Sequence, residues 1–487
     1  MILLTTFNAR FTHASLGLRS LLANLGPLRE RSGMVEFDLE TRPEEAVERV
    51  LLARPRIVGC GVYAWNTDLT TRMARLLKRL RPEVILVLGG PETGFALDDH
   101  PLAELADHLI VGEGEVAFRA LAEVILAGTP PAEKKIFAPP PDLHQLALPY
   151  AEYTDADLAH RQIYVEASRG CAWQCVFCLS ALDARVRRFP LPALLAGLEQ
   201  LYARGARRFK FVDRIFNTHR EQAATLLDFF LDPARADAFL HFEMIPDLLP
   251  EAIRERLAAF PPGAVQLELG VQSFDPQVLR AIRRRQDPDK AAANLTWLRT
   301  ATRVHLHTDL IVGLPGESLA GFAAGFDRLV ALAPHEIQVG ILKRLAGTPL
   351  TAMEAAHGYV FSPDPPYELL ANDRIDFFTM RRMKRFARYW DLIGNSGRFT
   401  QTLAQAFCDR SPFEVFLSLS DRLFATTGET HGIALPRLFS LVGECLAGQT
   451  EIDTALEQDM RRAERPVRPA RATPPRQQRA LGRLSSC

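Results

Sequence analysis

The sequence predicts an α/β protein in three parts: a doubly wound parallel sheet, a partial barrel of strand–helix units, and a mostly helical carboxyl-terminal module. Three observations lead to this fold class. Short apolar runs alternate with amphipathic segments over residues 1–130, a proline-rich interval follows, and a second alternation begins at Tyr164. After Leu350 the strand signal fades and helical periodicity takes over.

The composition is that of a soluble multidomain protein. Its 487 residues exceed one ordinary domain, so we expect two or three. Hydrophobic residues make up 47% and charged residues 24%, which is in the globular range. Basic and acidic residues number 58 each, so the overall charge predicts no attraction to nucleic acid or to an anionic membrane. Neither a signal peptide nor a long apolar span is evident, and we expect a cytoplasmic protein.

The first domain, expected over residues 1–130, is the doubly wound (Rossmann or flavodoxin-like) sheet. Its five predicted strands are residues 1–6, 35–39, 57–62, 84–88 and 108–111. Ligands of such sheets bind at the carboxyl ends of the strands. Gly89 and Gly90 follow one strand, and Gly112 and Glu113 follow another. Glycines at these ends would let a bulky ligand approach the backbone.

The second domain, expected over residues 159–350, is a partial (β/α)6 barrel. A linker is expected before it over residues 131–158, because residues 129–149 are rich in proline and lack periodicity. The six predicted barrel strands are residues 163–166, 209–216, 241–244, 265–271, 304–313 and 336–342. In a parallel barrel the chemistry belongs at the carboxyl-terminal rim.

The third part, expected over residues 351–455, is a helical module. Residues 365–448 are mostly helical in pattern, with 367–388 the clearest amphipathic stretch. The tail, residues 456–487, becomes rich in arginine, proline and glutamine without apolar periodicity. Such a composition predicts disorder.

The cysteines predict a metal cluster. Of seven cysteines, only Cys171, Cys175 and Cys178 lie together, which indicates ligands and not a disulfide framework. Three thiolates can hold three irons of a 4Fe-4S cluster and leave the fourth iron open. A structural zinc site would normally have a fourth cysteine or histidine, and none lies in this loop. Zinc or inert thiols are the alternative.

This cysteine spacing, with the aromatic Phe177 before the last cysteine, resembles the motif of the radical S-adenosylmethionine (SAM) superfamily. Residues 211–217, 268–273 and 309–317 resemble strands two, four and five of its coproporphyrinogen oxidase-like and cobalamin-dependent branches. The resemblance implies a 4Fe-4S cluster on the three cysteines with SAM on its open iron. Reductive cleavage of SAM would then give a 5′-deoxyadenosyl radical that takes a hydrogen atom from a substrate.

The resemblance also implies further contacts to SAM. Glu243 and Asp309 would contact its ribose or adenine, and Gln272 would contact the sulfonium ligand. Arg284 would hold the carboxylate, since a guanidinium can grip a carboxylate through two hydrogen bonds. The alternative for Arg284 is a place, with its neighbours at 283 and 285, on a solvated helix end.

The sequence departs from the superfamily after the second strand, where a Gly-Gly-Glu-like element often holds the methionyl amine. Here the segment is Val212-Asp213-Arg214. Asp213 could accept from the amine or simply pair with Arg214. Gly313 and Gly316 would allow close approach of the adenosine or, alternatively, only form a turn.

The amino-terminal domain resembles the cobalamin-binding domains of this branch through its glycine turns at residues 89–92 and 112–115. The resemblance implies bound cobalamin, with Gly89, Gly90, Gly112 and Glu113 as contacts. The alternative is a scaffold without ligand.

The motif that supplies a lower axial histidine in other cobalamin proteins is missing from residues 12–17. His13 is therefore expected to be a solvent-facing or capping residue and not a cobalt ligand. Tyr63 and Trp65 could cover the lower face of cobalamin, or they could pack in the core.

The carboxyl-terminal module resembles a helical domain of unknown function found behind cobalamin-binding radical enzymes. Taken together, the resemblances imply cobalamin-dependent methylation of a carbon atom in an unknown small molecule, with an electron donor such as flavodoxin or ferredoxin. The alternatives are a cobalamin-dependent cyclase, rearranging enzyme or decarboxylase without methyl transfer, a radical enzyme with an empty amino-terminal domain, and a non-enzymatic cobalamin or redox sensor.

Overall fold

The amino-terminal domain is a six-stranded parallel sheet with helices on both faces. The computed structural model of the protein describes residues 1–94, 100–446 and 450–464. The strands are β1 (Ile2–Asn8), β2 (Ser32–Asp38), β3 (Ile57–Gly61), β4 (Ile85–Gly89), β5 (His108–Val111) and β6 (Lys135–Phe137), in the order β2-β1-β3-β4-β5-β6. The helices are α1 (Leu16–Ala23), α2 (Pro43–Leu52), α3 (Thr67–Leu80), α4 (Pro101–Leu105) and α5 (Gly114–Ala127). The doubly wound sheet is thus confirmed.

The central domain is a second six-stranded parallel sheet, curved into a partial barrel. Its strands are β7 (Ile163–Val165), β10 (Arg208–Phe211), β11 (Phe239–Met244), β12 (Val265–Gln272), β13 (His305–Val312) and β14 (Glu336–Ile341), in the order β14-β13-β12-β11-β10-β7. A small antiparallel hairpin of β8 (Ser168–Arg169) and β9 (Arg187–Arg188) follows β7. The helices are α6 (Asp155–His160), α7 (Leu191–Ala203), α8 (Arg220–Leu231), α9 (Glu251–Ala259), α10 (Pro276–Ala281), α11 (Pro288–Ala301) and α12 (Leu319–Ala331).

The barrel strands bury apolar side chains on one face only. Along β10, Phe209 and Phe211 are fully buried in the core shared with the surrounding helices, and Lys210 between them points to the other face. Because side chains alternate across a strand, Lys210 faces the lumen of the barrel. The second strand is also shorter than the predicted 209–216, since it ends at Phe211.

The predicted linker between the two domains contains regular structure and buried side chains. It contains β6, which extends the first sheet, and it carries two fully buried tyrosines that cover the free edge of β7. The Tyr153 hydroxyl donates to the Tyr164 carbonyl at 2.7 Å and accepts from the Tyr164 amide at 3.1 Å. The Tyr150 hydroxyl makes the same pair of bonds with Glu166, at 3.3 and 3.2 Å. These hydroxyls take the place of a neighbouring strand.

The carboxyl-terminal module is mainly helical, as expected. It begins with an antiparallel pair, β15 (Val360–Phe361) and β16 (Leu369–Ala371), and continues with α13 (Phe377–Leu392), α14 (Thr400–Ala406), α15 (Pro412–Thr427), α16 (Leu435–Leu446) and α17 (Thr450–Glu464). The amphipathic stretch predicted to begin at residue 367 becomes helical only at Phe377, because β16 occupies its first part.

The tail prediction is wrong for residues 456–464, which belong to α17. This helix is held by Asp459, which is fully buried and accepts hydrogen bonds from the Gln401 amide and from the amide and hydroxyl of Thr402. Residues 465–487 lie outside the described residues. Within the described ranges, no helix has the length and apolar character needed to cross a membrane.

Candidate active site

The three clustered cysteines lie in the loop between β8 and β9, beyond the carboxyl end of the first barrel strand. Cys171 and Cys175 are buried and Cys178 is partly exposed. The Cys171 amide donates to the Asp183 carbonyl at 2.8 Å, which folds the loop back on itself. Burial raises the pKa of the Cys171 thiol to about 11, and burial also raises the pKa of Cys175. Binding a metal there would therefore release protons from the thiols.

This set of donors fits an iron–sulfur cluster better than a zinc ion. A structural zinc site needs four ligands that converge on one point. Among the described residues, no group of three or more Cys, His, Asp or Glu side chains is placed to hold a single metal ion. In a cubane each thiolate binds a different iron, so the three thiols need not converge. Three thiols in one loop match that requirement.

Arg284 lies beside the cysteine loop. Its Nη1 is 3.6 Å from the Cys175 sulfur, its Nη2 donates to the Gly270 carbonyl, and its Nε donates to Gln286 Oε1 at 2.8 Å. Helix α10 ends at Ala281, before the arginine run. Arg284 is therefore turned inward and is not part of a solvated helix end. A guanidinium in this position could bind a carboxylate beside the thiol loop, and its contact with SAM stays a prediction.

Gln272 ends β12 at the same rim, in a strained backbone conformation. Its φ is 68°, and the pairing of β12 with β13 shifts register between Gly270 and Gln272. A Cβ atom at Gly270 would lie 2.4 Å from Gln272 Nε2, so a larger residue at position 270 would displace the Gln272 side chain from its present place. The Gln272 Oε1 is buried and has no hydrogen-bond partner. A buried, unpaired acceptor needs a donor, and a cofactor amine bound at this rim would supply one.

Asp213 binds the segment that leads into the cysteine loop. Its carboxylate accepts from the Ala167 amide at 2.9 Å and from the Ser168 hydroxyl at 2.5 Å, so it ties the end of β10 to the segment that leads to Cys171. Burial raises its pKa to about 6. The structure thus gives Asp213 a loop-holding position that neither of the two sequence interpretations included.

Charged and polar side chains fill the lumen below the rim. Glu268 on β12 is 2.9 Å from His241 Nε2 and 3.4 Å from the Lys210 ammonium. Burial opposes the charge on Lys210, but Glu268 raises the Lys210 pKa. Burial, followed by repulsion from Lys210, lowers the pKa of His241 to about 4. Glu243 pairs with Glu268 in strand register and faces the same group.

A second charged group spans β13 and β14. His307 is 3.3 Å from Asp309 and 3.2 Å from Glu336. Burial lowers the pKa of His307, but these two carboxylates outweigh burial and raise it to about 9. Asp309 is opposite Gly270 in strand register, which places it near the Arg284 contact. Glu243 and Asp309 therefore lie on the lumen side of the barrel, and their contacts to SAM remain a prediction.

Two of the four residues predicted to contact cobalamin are glycines that the fold itself requires. Gly90 has φ 109°, and a Cβ there would lie 2.5 Å from the Val62 carbonyl oxygen. Gly112 has φ 105°, and a Cβ there would lie 2.6 Å from the Ala138 carbonyl oxygen. Gly89 differs, because a Cβ there would meet nothing within 4 Å. Of these glycines, Gly89 is the one that opens onto free space.

Glu113, the fourth of them, lies in an ion-pair group between the two sheets. Its carboxylate contacts Arg187 and, at 2.6 Å, Arg169. The Arg169 guanidinium also binds Glu115 at 2.7 Å and Glu166 at 3.0 Å. Because Arg169 and Arg187 lie on the two strands that enclose the cysteine loop, Glu113 ties that loop to the amino-terminal domain. We call Glu113, Arg169 and Arg187 the clamp.

His13 also contacts the barrel. Its ring stands edge-on to Tyr164 with 6.0 Å between the ring centroids. Burial, followed by repulsion from Lys210, lowers the pKa of His13 to about 4. His13 is thus half-buried against Tyr164, and it is not the cap of α1, which is Ser15.

Tyr63 and Trp65 stack on each other at the end of β3, with 4.4 Å between their ring centroids. The Trp65 indole donates to the Phe7 carbonyl at 3.2 Å. At the fifth barrel strand, Gly313 has φ 92° and a Cβ there would lie 2.4 Å from Leu369, whereas Gly316 has φ 78° and open space around it. The structure therefore accounts for Gly313 by packing against the carboxyl-terminal module.

The sequence interpretation missed the clamp arginines and the lumen charges. For the lumen a signal was present: Lys210 stands between two phenylalanines in a predicted strand, and a charge in a buried strand marks an inward-facing polar site. It also missed the contact between Tyr367 of the carboxyl-terminal module and Glu92, 3.2 Å apart. No local pattern in the sequence indicates that contact.

Comparison with known families identifies three regions. Residues 3–122 match the B12 binding domain, residues 165–328 match the radical SAM superfamily, and residues 355–450 match a protein family of unknown function, DUF4080. These matches confirm the domain types and their order as expected from the sequence.

Individual relatives are distant. The cobalamin-dependent radical SAM methyltransferase TokK of Streptomyces tokunonensis is 26% identical over 63% of this chain. The chain spans only 50% of that relative's length.

Solved structures show the same fold. The cobalamin-dependent SAM radical enzyme OxsB aligns with a TM-score of 0.64 and 13% identity, covering 95% of this chain and 80% of that one. The radical SAM methyltransferase TsrM from Kitasatospora setae, with cobalamin and a 4Fe-4S cluster bound, aligns with a TM-score of 0.59 and 17% identity, covering 75% and 81%. The chain therefore carries a B12 binding domain, a radical SAM domain and a DUF4080 region in that order, and these domain types imply a 4Fe-4S cluster, SAM and cobalamin as cofactors.

Proposed function

We propose that this protein is an enzyme that reductively cleaves SAM at a 4Fe-4S cluster and methylates a carbon atom of a small molecule with the help of cobalamin. The observation that carries the proposal is the meeting, at one rim, of the three-thiol loop, the inward guanidinium of Arg284 and the unpaired Gln272 acceptor. The likeness to TokK, a methyltransferase by name, supports the transfer of a methyl group.

The residues at the rim have distinct tasks in this proposal. Cys171, Cys175 and Cys178 hold the cluster. Arg284 grips the SAM carboxylate, because its fork matches a carboxylate and it already lies beside the Cys175 sulfur. The Gln272 Oε1 accepts a hydrogen bond from the bound SAM. When bound, the reduced cluster supplies the electron that cleaves SAM, and cobalamin carries the methyl group.

The lumen and the clamp organise the space around that chemistry. Lys210, His241, Glu268 and His307 offer fixed donors and acceptors that can orient a polar substrate. Through Glu113 the amino-terminal domain contacts the hairpin around the cysteine loop, and there it would help to exclude water and so protect reactive intermediates from side reactions. We further propose that the protein works in the cytoplasm with a low-potential electron carrier, where thiols stay reduced.

The experiment is anaerobic reconstitution with iron, sulfide and cobalamin, followed by quantitation of iron and cobalt and by an assay for 5′-deoxyadenosine under a strong chemical reductant. SAM labelled in its methyl group is then supplied together with a metabolite extract. We expect about four irons and one cobalt per chain, 5′-deoxyadenosine, and label in a small-molecule product.

The other outcomes separate the alternatives. 5′-Deoxyadenosine without label in any product contradicts methylation and favours cyclisation, rearrangement or decarboxylation. Iron without cobalt favours a radical enzyme whose amino-terminal domain is empty. Absence of 5′-deoxyadenosine in a fully loaded protein overturns the enzyme proposal and leaves a sensor.

A further inference from the structure

We propose that an acidic one-electron carrier protein docks on four exposed arginines that border the cysteine loop. This inference rests on the proposed function, because a cluster that cleaves SAM must first be reduced. The four side chains, which we call the arginine patch, are Arg185, Arg280, Arg283 and Arg285.

The first step of the argument is that the cysteine loop itself lies at the surface. Ala172 and Gln174, between the first two cysteines, are both exposed. The indole of Trp173, between them, donates to the Arg285 carbonyl at 3.3 Å, so the loop and the arginine segment lie side by side. A protein that docks here approaches the thiols without any change of fold.

The second step is the arrangement of the arginine segment. Arg284 points inward to the Cys175 sulfur at 3.6 Å, while Arg283 and Arg285 on either side of it are exposed. Arg280 is exposed at the end of α10, and its carbonyl accepts from the Arg283 amide. The chain segment that contacts Cys175 thus carries three solvent-exposed arginines.

The third step concerns the opposite flank of the loop. The Arg185 carbonyl packs on Gly170, where a Cβ would be only 2.4 Å away, so exposed Arg185 adjoins the residue before Cys171. Positive charge therefore borders the loop on both sides.

The patch arginines have no internal counterions. None of the four forms an ion pair with a carboxylate of the described residues. The nearby carboxylates are already engaged: Asp183 pairs with Arg187, Asp275 accepts from the amides that begin α10, and Asp287 accepts from the amides that begin α11. The patch therefore keeps its charge for an outside partner.

Charge and reaction together define that partner. Oppositely charged surfaces raise the rate of encounter and orient the approach, in a way that salt weakens. The exchange across this surface is one electron: the carrier is oxidised by one electron, the oxidised cluster is reduced by one, and no bond or proton is transferred. A small carrier with an acidic face around its own redox centre, such as flavodoxin, has the required chemistry.

The test replaces three patch arginines at once, in R280E/R283E/R285E, and measures binding of purified flavodoxin to the full chain at low and high salt. Binding is read by surface plasmon resonance, which needs no turnover. We expect the dissociation constant at low salt to rise by about 10-fold or more, with most of the salt dependence lost. The matched control is R72E/R75E/R79E, on the exposed face of α3, which makes the same change of charge in the amino-terminal domain.

Activity of the reconstituted enzyme separates this inference from the proposed function. With dithionite as reductant, the patch variant is expected to form 5′-deoxyadenosine at the rate of the unchanged protein, whereas with reduced flavodoxin its rate falls. If neither protein forms 5′-deoxyadenosine with dithionite, the proposed function fails. If dithionite works and flavodoxin binds the patch variant and the control variant equally well, the docking surface is refuted. The milder variant R280Q/R283Q/R285Q tests whether the loss of flavodoxin binding comes from charge. Its affinity should lie between that of the unchanged protein and that of R280E/R283E/R285E.

Discussion

The two six-stranded sheets of this protein share parallel topology but differ in what their faces carry. In the amino-terminal sheet both faces of β1 are apolar: Ile2 and Leu4 enter one core cluster, and Leu3 and Phe7 enter the other. In the barrel one face is apolar and the lumen is charged. Buried charge is costly unless it is paired and hydrogen-bonded. The comparison teaches that the barrel carries its charged side chains in the lumen, beside the candidate site. In the first domain, buried charge lies away from β1, where Glu36 on β2 pairs with Arg19 on α1.

The largest effect is expected when a cysteine of the barrel loop is replaced, and a buried cysteine of the first sheet is the control. Cys175→Ala removes one of three proposed cluster ligands, so we expect loss of most bound iron and of all detectable 5′-deoxyadenosine. Cys60→Ala, at a buried position in β3, removes only packing and is expected to keep both, at a cost of about 1 kcal/mol in stability. Iron content per chain and product analysis after anaerobic reconstitution measure the two. Full iron in the Cys175 variant would end the cluster assignment.

The next effect tests the charged lumen. Lys210→Met leaves Glu268 buried without its ammonium partner, and we expect a loss of about 3–5 kcal/mol in the free energy of unfolding measured by urea titration. The double variant K210M/E268L removes both charges and should recover much of that loss, since a buried pair can be replaced by apolar side chains at little cost. Equal destabilisation of the single and double variants would show that the pair is not coupled as the structure indicates.

A smaller effect concerns the clamp, which joins the two regions. Glu113→Gln weakens the contacts to Arg169 and Arg187, both of which are mostly buried, so we expect destabilisation of about 1–3 kcal/mol. Hydrogen–deuterium exchange should rise in residues 168–188, the hairpin around the cysteine loop. The control is Glu123→Gln, which breaks an exposed pair with Arg119 on α5 and should cost less than about 0.5 kcal/mol. Unchanged exchange in the hairpin would mean that the loop is held without the clamp.

The last comparison concerns pH dependence and again belongs to the lumen. His307 has a folded pKa of about 9, above the ordinary value of 6.5, so its stabilisation is complete below pH 6.5 and is lost as the pH rises through 9. His241 has a folded pKa of about 4, so its contribution is lost as the pH falls from 6.5 towards 4. His307→Gln should flatten the alkaline limb of a stability–pH profile, and His241→Gln the acid limb. Each change amounts to at most one proton, and a profile unaltered by either substitution would contradict the assigned partners.

Local periodicity was enough to predict most strands. The alternation of apolar residues located every strand of the barrel sheet and five strands of the first sheet, with β5 correct at both ends. The strand of the first sheet that was missed, β6, has only three residues, lies at a sheet edge and falls within the proline-rich interval. The strands of the two small antiparallel pairs, β8, β9, β15 and β16, were missed as well, and each has only two or three residues. Helix α17 was partly assigned to the tail because its stability depends on Asp459, whose partners lie 57 and 58 residues away in the chain. Contacts of that kind leave no periodic signal.

The residues of the candidate site also fall into those that the sequence could nominate and those that only the structure could place. The cysteines and Gln272 lie in short segments whose spacing carries the chemistry, so the sequence is sufficient to nominate them. The inward turn of Arg284 depends on where α10 ends, and the position of Glu113 depends on Arg169, 56 residues later in the chain. Sequence alone assigned Glu113 to a cofactor, whereas the structure shows it in contact with two arginines.

The hydrogen bonds from the Tyr150 and Tyr153 hydroxyls to the backbone at the edge of β7 limit where the barrel can be cut from the rest of the protein. A barrel excised from residue 159 onward would lack Tyr150 and Tyr153, and the amide and carbonyl groups of Tyr164 and Glu166 would be left bare. A bare strand edge recruits other strands, so such a fragment would self-associate. A soluble fragment of the barrel therefore has to begin before Tyr150, within the segment 131–158 that the sequence predicts to be a linker.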